Sequence, residues 1–180
     1  DDTIQILPQE FQQFNPFFVV ALTPFSLLLF TSLAKKGKEP SAPRKIAIGM
    51  LVAAVAYCIM TVGSIGMPTP ADLKADASLL SNPASPNLLI STYLVLTFAE
   101  LLLSPMGISF VSKVAPPKLK GAMMGGWFAA TAVGNYAVQV TGRLWGDLPL
   151  VAIWGILIGL CVAAAIFMFS IMKRLERVCN

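Results

Sequence analysis

LLISTYLVLTFAELLLSPMGISFVS, residues 88–112, is the stretch whose reading decides the fold. It is long enough to cross a bilayer as a helix, which takes about 20 apolar residues. Glu100, near its middle, is the one acidic or basic side chain in the run. A carboxylate at mid-membrane costs about 2.5–3.5 kcal/mol on insertion scales. The thirteen Leu, Ile, Val and Phe residues around it each return about 0.3–0.6 kcal/mol, so the span still inserts. Such an acid usually faces a polar interior, a partner cation or a substrate path. Transport is the function class this placement suggests first.

The rest of the chain agrees. Of 180 residues, 56% are hydrophobic and 12% charged, more apolar surface than one soluble core of this size could hide. There is no His, which removes the commonest proton relay near neutral pH and the commonest metal ligand. Cys58 and Cys161 lie in apolar runs and Cys179 in the basic tail, without a CxxC spacing or a disulfide framework. No nucleophile–base pair, phosphate loop or metal-ligand cluster is present, so neither catalysis nor a cofactor or metal is expected. The net charge of +4 follows topology and gives no reason to expect a nucleic acid partner.

Five segments are expected to span the membrane as helices: 17–34, 46–67, 88–112, 121–142 and 149–172. Their lengths exceed those of barrel strands, and no period-2 alternation appears. The fourth is the least hydrophobic and richest in small residues, which predicts packing inside a bundle. Charge alternates along the connections. Lys35, Lys36, Lys38, Arg44 and Lys45 follow the first span; Lys113, Lys118 and Lys120 follow the third; Lys173, Arg174 and Arg177 follow the fifth. Only Lys74 and Arg143 fall on the other side, with Asp1, Asp2, Glu10, Asp72, Asp76 and Asp147. The positive-inside rule then puts the N-terminus outside and the C-terminus in the cytoplasm. The long connection from Pro68 to Asn87, with prolines at 68, 70, 83 and 86, reads as external, with room for a short helical turn around residues 71–80. The chain opens with DDTIQILPQE, without Met or a signal peptide. Five spans is also an odd number for a fold made of paired repeats. Further helices upstream, or on another chain, are therefore expected.

Several residues could carry chemistry. Pro105 has no N–H for the Leu101 carbonyl, so a kink is expected there, with Ser104 able to bond the freed carbonyl or Glu100. Gly107 lies two turns after Glu100 on the same face, and Tyr93 two turns before it. One reading is a bent, polar, cavity-lining site; the other is a protonated Glu bonded between helices. In the fourth span, Ala122, Gly126, Ala130 and Gly134 form a small-residue stripe suited to close helix approach. Met123, Trp127, Thr131 and Asn135 form the neighbouring stripe. Trp127 suits either a pocket wall or an interfacial anchor, and Asn135 and Gln139 suit either ligands or interhelical bonds. Asn15-Pro16 reads first as a helix entry and second as a substrate contact.

Three strings now converge: FQQFNPFFVVALTP, AELLLSPMGISFVSKVAP and GAMMGGWFAATAVGNY, in this order around the basic loops. Together they resemble the C-terminal half of the proton-dependent oligopeptide transporter family, part of the major facilitator superfamily, over essentially the whole chain. The resemblance implies an all-α membrane protein, the C-terminal helical bundle of such a transporter. Residues 1–16 would be the outer connection from a missing helix 7, and 17–180 helices 8–12. It implies that Glu100 attracts the peptide amino terminus, that Asn15 touches the same end, and that Trp127 and Thr131 line a side-chain pocket. Ser104, Pro105 and Gly107 would belong to the helix 10 gate and kink. Ala99 departs from the family pattern, where glycine usually precedes the glutamate.

The function implied is alternating-access symport of di- and tripeptides with protons, in a lipid bilayer, and the location a bacterial inner membrane. The helix 1 proton-coupling motif, the helix 4 lysine and the cationic site for the peptide carboxylate have no match here, so the N-terminal bundle (helices 1–7) is an expected partner. A channel or pore subunit, and a structural membrane subunit without substrate, are the competing classes.

Overall fold

The computed structural model describes residues 14–69, 72, 76, 86–145 and 148–179. Five long helices carry the described chain: α1 (Phe14–Lys35), α2 (Ala42–Gly63), α3 (Pro86–Val114), α4 (Lys120–Leu144) and α5 (Leu150–Cys179), with a 3₁₀ turn at Pro117–Leu119 before α4. Four of them, α1, α2, α3 and α5, are long and apolar enough to cross a membrane. The 25-residue α4 is long enough, but its Gly, Thr, Asn and Gln residues keep it outside that set. The expected outer connection at 1–16 lies outside the described residues up to residue 13.

Helix ends differ from the hydropathy boundaries where charged residues turn out to be helical. α2 begins at Ala42, four residues before its expected start, because Pro43 suits the first turn and leaves no bonded N–H unmade. Arg44 and Lys45 thus belong to the helix. α2 closes at Gly63, followed by a turn in which Gly66 has φ +79°. α5 runs on through Lys173, Arg174 and Arg177, cations that suit a helix C-terminus. Of the turn expected around 71–80, only Asp72 and Asp76 are described. There Thr69 and Asp72 bond reciprocally: the Thr69 hydroxyl and N–H donate to Asp72 Oδ2 at 2.6 and 3.1 Å, and the Asp72 N–H donates back to Thr69 Oγ1 at 3.2 Å. This is a capping box, and the Asp76 N–H donates to the Asp72 carbonyl at 2.8 Å behind it.

The core lies where α2 packs between α3 and α5. Small side chains make that possible: Ala47 and Ala56 of α2 are fully buried, as is Ile153 of α5, and Ala99 and Leu102 of α3 are nearly so. Gly49 marks the closest approach. A Cβ there would stand 3.0 Å from Leu102 Cβ and 3.1 Å from the Ala99 carbonyl oxygen. Ala99, the departure from the family pattern, is thus part of the α2–α3 seam. At one end of the core, Trp154 donates to Ser64 Oγ at 3.0 Å and stacks on Tyr57, with Trp145 edge-on to it.

At the other end the loop before α2 is fastened to the last turns of α5. Ser41 donates to Glu176 Oε1 at 2.7 Å, and Arg44 Nε reaches the same oxygen at 2.7 Å. Lys45 is buried; it pairs with Glu39 and stands 4.2 Å from the Phe30 ring centroid. The basic ends of α1 and α5 therefore share one end of the bundle, as the charge alternation requires.

α3 touches all four other helices, while α1 and α4 lean chiefly on α3. No residue of α4 is buried, which corrects the expectation of interior packing within these five helices. Its neighbours stand on one side only, and the stripe through Gly126 and Gly134 meets open space.

Candidate functional site

Glu100 is built into a polar chain spanning α1 and α3. Asn15, in the first turn of α1, donates from Nδ2 to Glu100 Oε2 at 3.3 Å. Thr97, fully buried and one turn before Glu100, has its hydroxyl 2.8 Å from Asn15 Oδ1 and 2.7 Å from the Tyr93 carbonyl. The hydroxyl engages the amide oxygen, which turns the amide nitrogen toward the carboxylate. Asn15 does more than open a helix. The carboxylate itself is exposed and faces an open pocket of about 320 Å³ lined by Asn15, Tyr57, Tyr93, Ala99, Glu100 and Ser104, among others. A carboxylate with one amide donor and open space on its other side keeps lone pairs free for a cation.

Trp127 stands elsewhere. It lines a second, apolar pocket of about 310 Å³ with Met50, Leu103, Ser104, Phe110 and Met168. Leu103 and Ser104 belong to both pockets, so the two adjoin across one turn of α3. Trp127 gets there because Gly107 is bare: a Cβ on Gly107 would sit 2.2 Å from Trp127 Cη2. Gly107 thus seats the indole at the α3–α4 contact. α3 continues as one helix through Pro105. Thr131 is exposed and donates to its own helix, at the Trp127 carbonyl, 3.0 Å away. It lines neither pocket.

Of the expected site residues, the fold brings Asn15 and Glu100 together and places Ser104 beside both pockets. Trp127 and Gly107 meet one another, and Thr131 stands apart from them. Thr97 and Tyr57 were missed. Thr97 was within reach of sequence reasoning, since Tyr93, Thr97, Glu100 and Ser104 share one helical face at i, i+4, i+7 and i+11. Tyr57 comes from a different helix and had no local signal. No group of His, Cys, Asp or Glu that could hold a metal ion occurs among the described residues.

The family model for PTR2, the POT family, matches residues 2–151. A curated relative, the peptide transporter YePEPT of Yersinia enterocolitica, is 34% identical over 92% of this chain and 32% of its own length. Dipeptide and tripeptide permease B of Xenorhabdus bovienii is 32% identical over 71% of this chain and 24% of its own. The chain therefore spans about a quarter to a third of the relatives it matches. A crystal structure of peptide transporter POT, in a mutant form, superposes with TM-score 0.80 at 25% identity, over 99% of this chain and 33% of that one. A POT family transporter in complex with 5-aminolevulinic acid shares the fold at TM-score 0.76 and 23% identity, over 92% of this chain and 31% of that one. Four apolar spanning helices and membrane transporter relatives make this an integral membrane protein. Family match, identity and superposition together establish that the chain belongs to the POT family.

Proposed function

We propose that this chain forms the C-terminal bundle, helices 8–12, of a proton-coupled symporter for di- and tripeptides, and that it carries its substrate without chemically converting it. The observation that supports this most is the Asn15–Glu100 pair, a mid-membrane carboxylate held by one amide and otherwise open to a pocket. Glu100 receives the peptide ammonium, with Asn15 and Thr97 holding the carboxylate's position. Trp127 borders an adjoining apolar space for a side chain, and Thr131 acts only if α4 turns toward it. The α3 segment at Ser104, Pro105 and Gly107 serves as a bending point, because Pro105 leaves the Leu101 carbonyl unbonded. An N-terminal bundle supplies the peptide carboxylate site and the proton relay, and the two bundles rock around the shared cavity. The names of the relatives, peptide transporter and dipeptide and tripeptide permease, support the substrate class.

A second reading has its own observation: the Asn15 bond crosses between helices, as structural glue would. Glu100→Gln in the complete transporter separates the two. A charge-assisted hydrogen bond is about twice as strong as a neutral one. Affinity for dipeptides with a free amino terminus should therefore fall about tenfold or more, while N-acetylated analogues lose much less. Equal losses for both ligand classes would leave only the structural role.

The same reading places the basic end of the bundle in the cytoplasm of a bacterial inner membrane, because eleven of thirteen Lys and Arg residues lie on that side. Cysteines introduced at Lys38, Lys118 and Arg174 should label only from the cytoplasm, and those at Asp76 and Asp147 only from outside. External labelling at Lys38 would reverse the orientation.

A further inference from the structure

The cationic end of the bundle has a feature that membrane topology alone does not require. Two segments more than 130 residues apart, the start of α2 with its N-cap and the last turns of α5, are held together there by Ser41 and Arg44 on Glu176. The two acids at this end are both consumed internally, Glu176 by that clamp and Glu39 by Lys45. Six further cations share this end of the bundle: Lys35, Lys36 and Lys38 from the last turn of α1 and the loop after it, and Lys173, Arg174 and Arg177 from α5. All six are exposed, and none has an acidic partner among the described residues. Bringing like charges together is unfavourable unless a counter-anion joins them.

Immediately behind these charges the same helices present bare apolar surface. Phe169, one turn before Lys173, and Phe167 are exposed, as is Leu28, two turns before Lys35. A ligand that satisfies both features carries a negative head and long apolar tails. Free phosphate would match only the first, and an acidic protein would leave the phenyl and leucyl surface unmatched.

We propose that the loop–tail clamp of α1, α2 and α5 is a binding site for anionic phospholipid. The headgroup phosphate sits among the six cations, and the acyl chains lie along Leu28 and Phe169. Lys and Arg in the juxtamembrane position suit such headgroups, and each contributes roughly a fivefold gain in binding near an anionic surface. Glu176 has a double role. It subtracts a charge, but it also holds the loop against α5, so that both cation sets address one headgroup.

The test uses the full-length protein in detergent, with lipid retention read by native mass spectrometry for phosphatidylglycerol against phosphatidylcholine. Phosphatidylglycerol should be retained preferentially, with retention falling as salt rises. Neutralising the loop set (K35Q, K36Q, K38Q) or the tail set (K173Q, R174Q, R177Q) should lower it at least tenfold. Removing the same charge at K113Q, K118Q and K120Q, on the α3–α4 turn, should cost much less. Glu176→Gln provides the sharpest reading. It raises the net charge by one, so simple charge counting demands tighter binding, whereas a clamped site demands weaker binding. Tighter binding by Glu176→Gln, equal losses from all three neutralised sets, or displacement of the lipid by inorganic phosphate alone would each overturn the proposal. Cysteine labelling at Lys118 keeps a change of membrane orientation from being mistaken for loss of the site.

Discussion

α1 and α4 both lean on α3, but they are attached by different chemistry. α1 is tied by polar groups, Asn15 to Glu100 and Thr97 to Asn15. α4 is attached by shape, the Trp127 ring filling the space left by Gly107. The first contact depends on charge and hydrogen bonding and the second on volume. One contact of each kind thus sits on the same central helix, two turns apart.

The shape contact should be the more sensitive. Gly107→Ala puts a methyl where the indole lies, and overpacking of this kind costs about 1–3 kcal/mol. Adding Trp127→Leu should recover most of the loss, and a double-mutant cycle in thermal stability measures the coupling. Additive effects would mean that the two residues do not meet in the membrane. Asn15→Asp breaks the polar contact while keeping its shape. Two carboxylates at hydrogen-bond distance repel one another when both are charged. Transport near neutral pH should fall on the order of tenfold and recover as the medium is acidified; a loss that ignores pH would remove electrostatics from the α1–α3 contact. Thr97→Val is milder: it forfeits one neutral hydrogen bond, about 1 kcal/mol, and should raise KM for peptide a few-fold without changing kcat.

The smallest effect concerns the connection after α2, where neither attachment operates. Two hydrogen bonds from Thr69, the side-chain one the stronger, hold the Asp72 carboxyl below its ordinary value. A depressed pKa means that the turn is favoured while Asp72 is ionised and loosens only as pH falls through that lowered value. The protection factor of the Asp76 amide, its exchange corrected for the intrinsic pH dependence, should therefore stay constant through neutral and mildly acidic pH and fall only below the usual Asp range. A fall near neutral pH would contradict the capping box.

Much of this was legible in the chain. The number and order of the helices were legible from the apolar runs, since a membrane leaves few other ways to satisfy the backbone, although only four of the five are apolar enough to span by themselves. Glu100 declared itself because its insertion cost is large against everything around it. The ends of α2 and α5 were less visible, because hydropathy treats Arg44, Lys45 and Lys173 as loop. In the structure Lys45 is buried against Phe30 and Glu39, and α5 carries its cations on intact helical turns. Trp127 on Gly107 could not be read at all. It depends on the relative placement of two helices, and nothing within either helix encodes the distance between them. The same holds for Ser41 and Glu176.

That last pair has a consequence in time. Ser41 occupies the N-cap of α2, yet its hydroxyl makes no cap bond and is given to Glu176, 135 residues further along the chain. At translation rates of about 5–20 residues per second, Glu176 is synthesised roughly 7–27 seconds after Ser41. Throughout that interval the bond to Glu176 cannot form, so the loop before α2 has no anchor on α5. The junction between α2 and α5 is therefore among the last parts of this chain to be completed during synthesis.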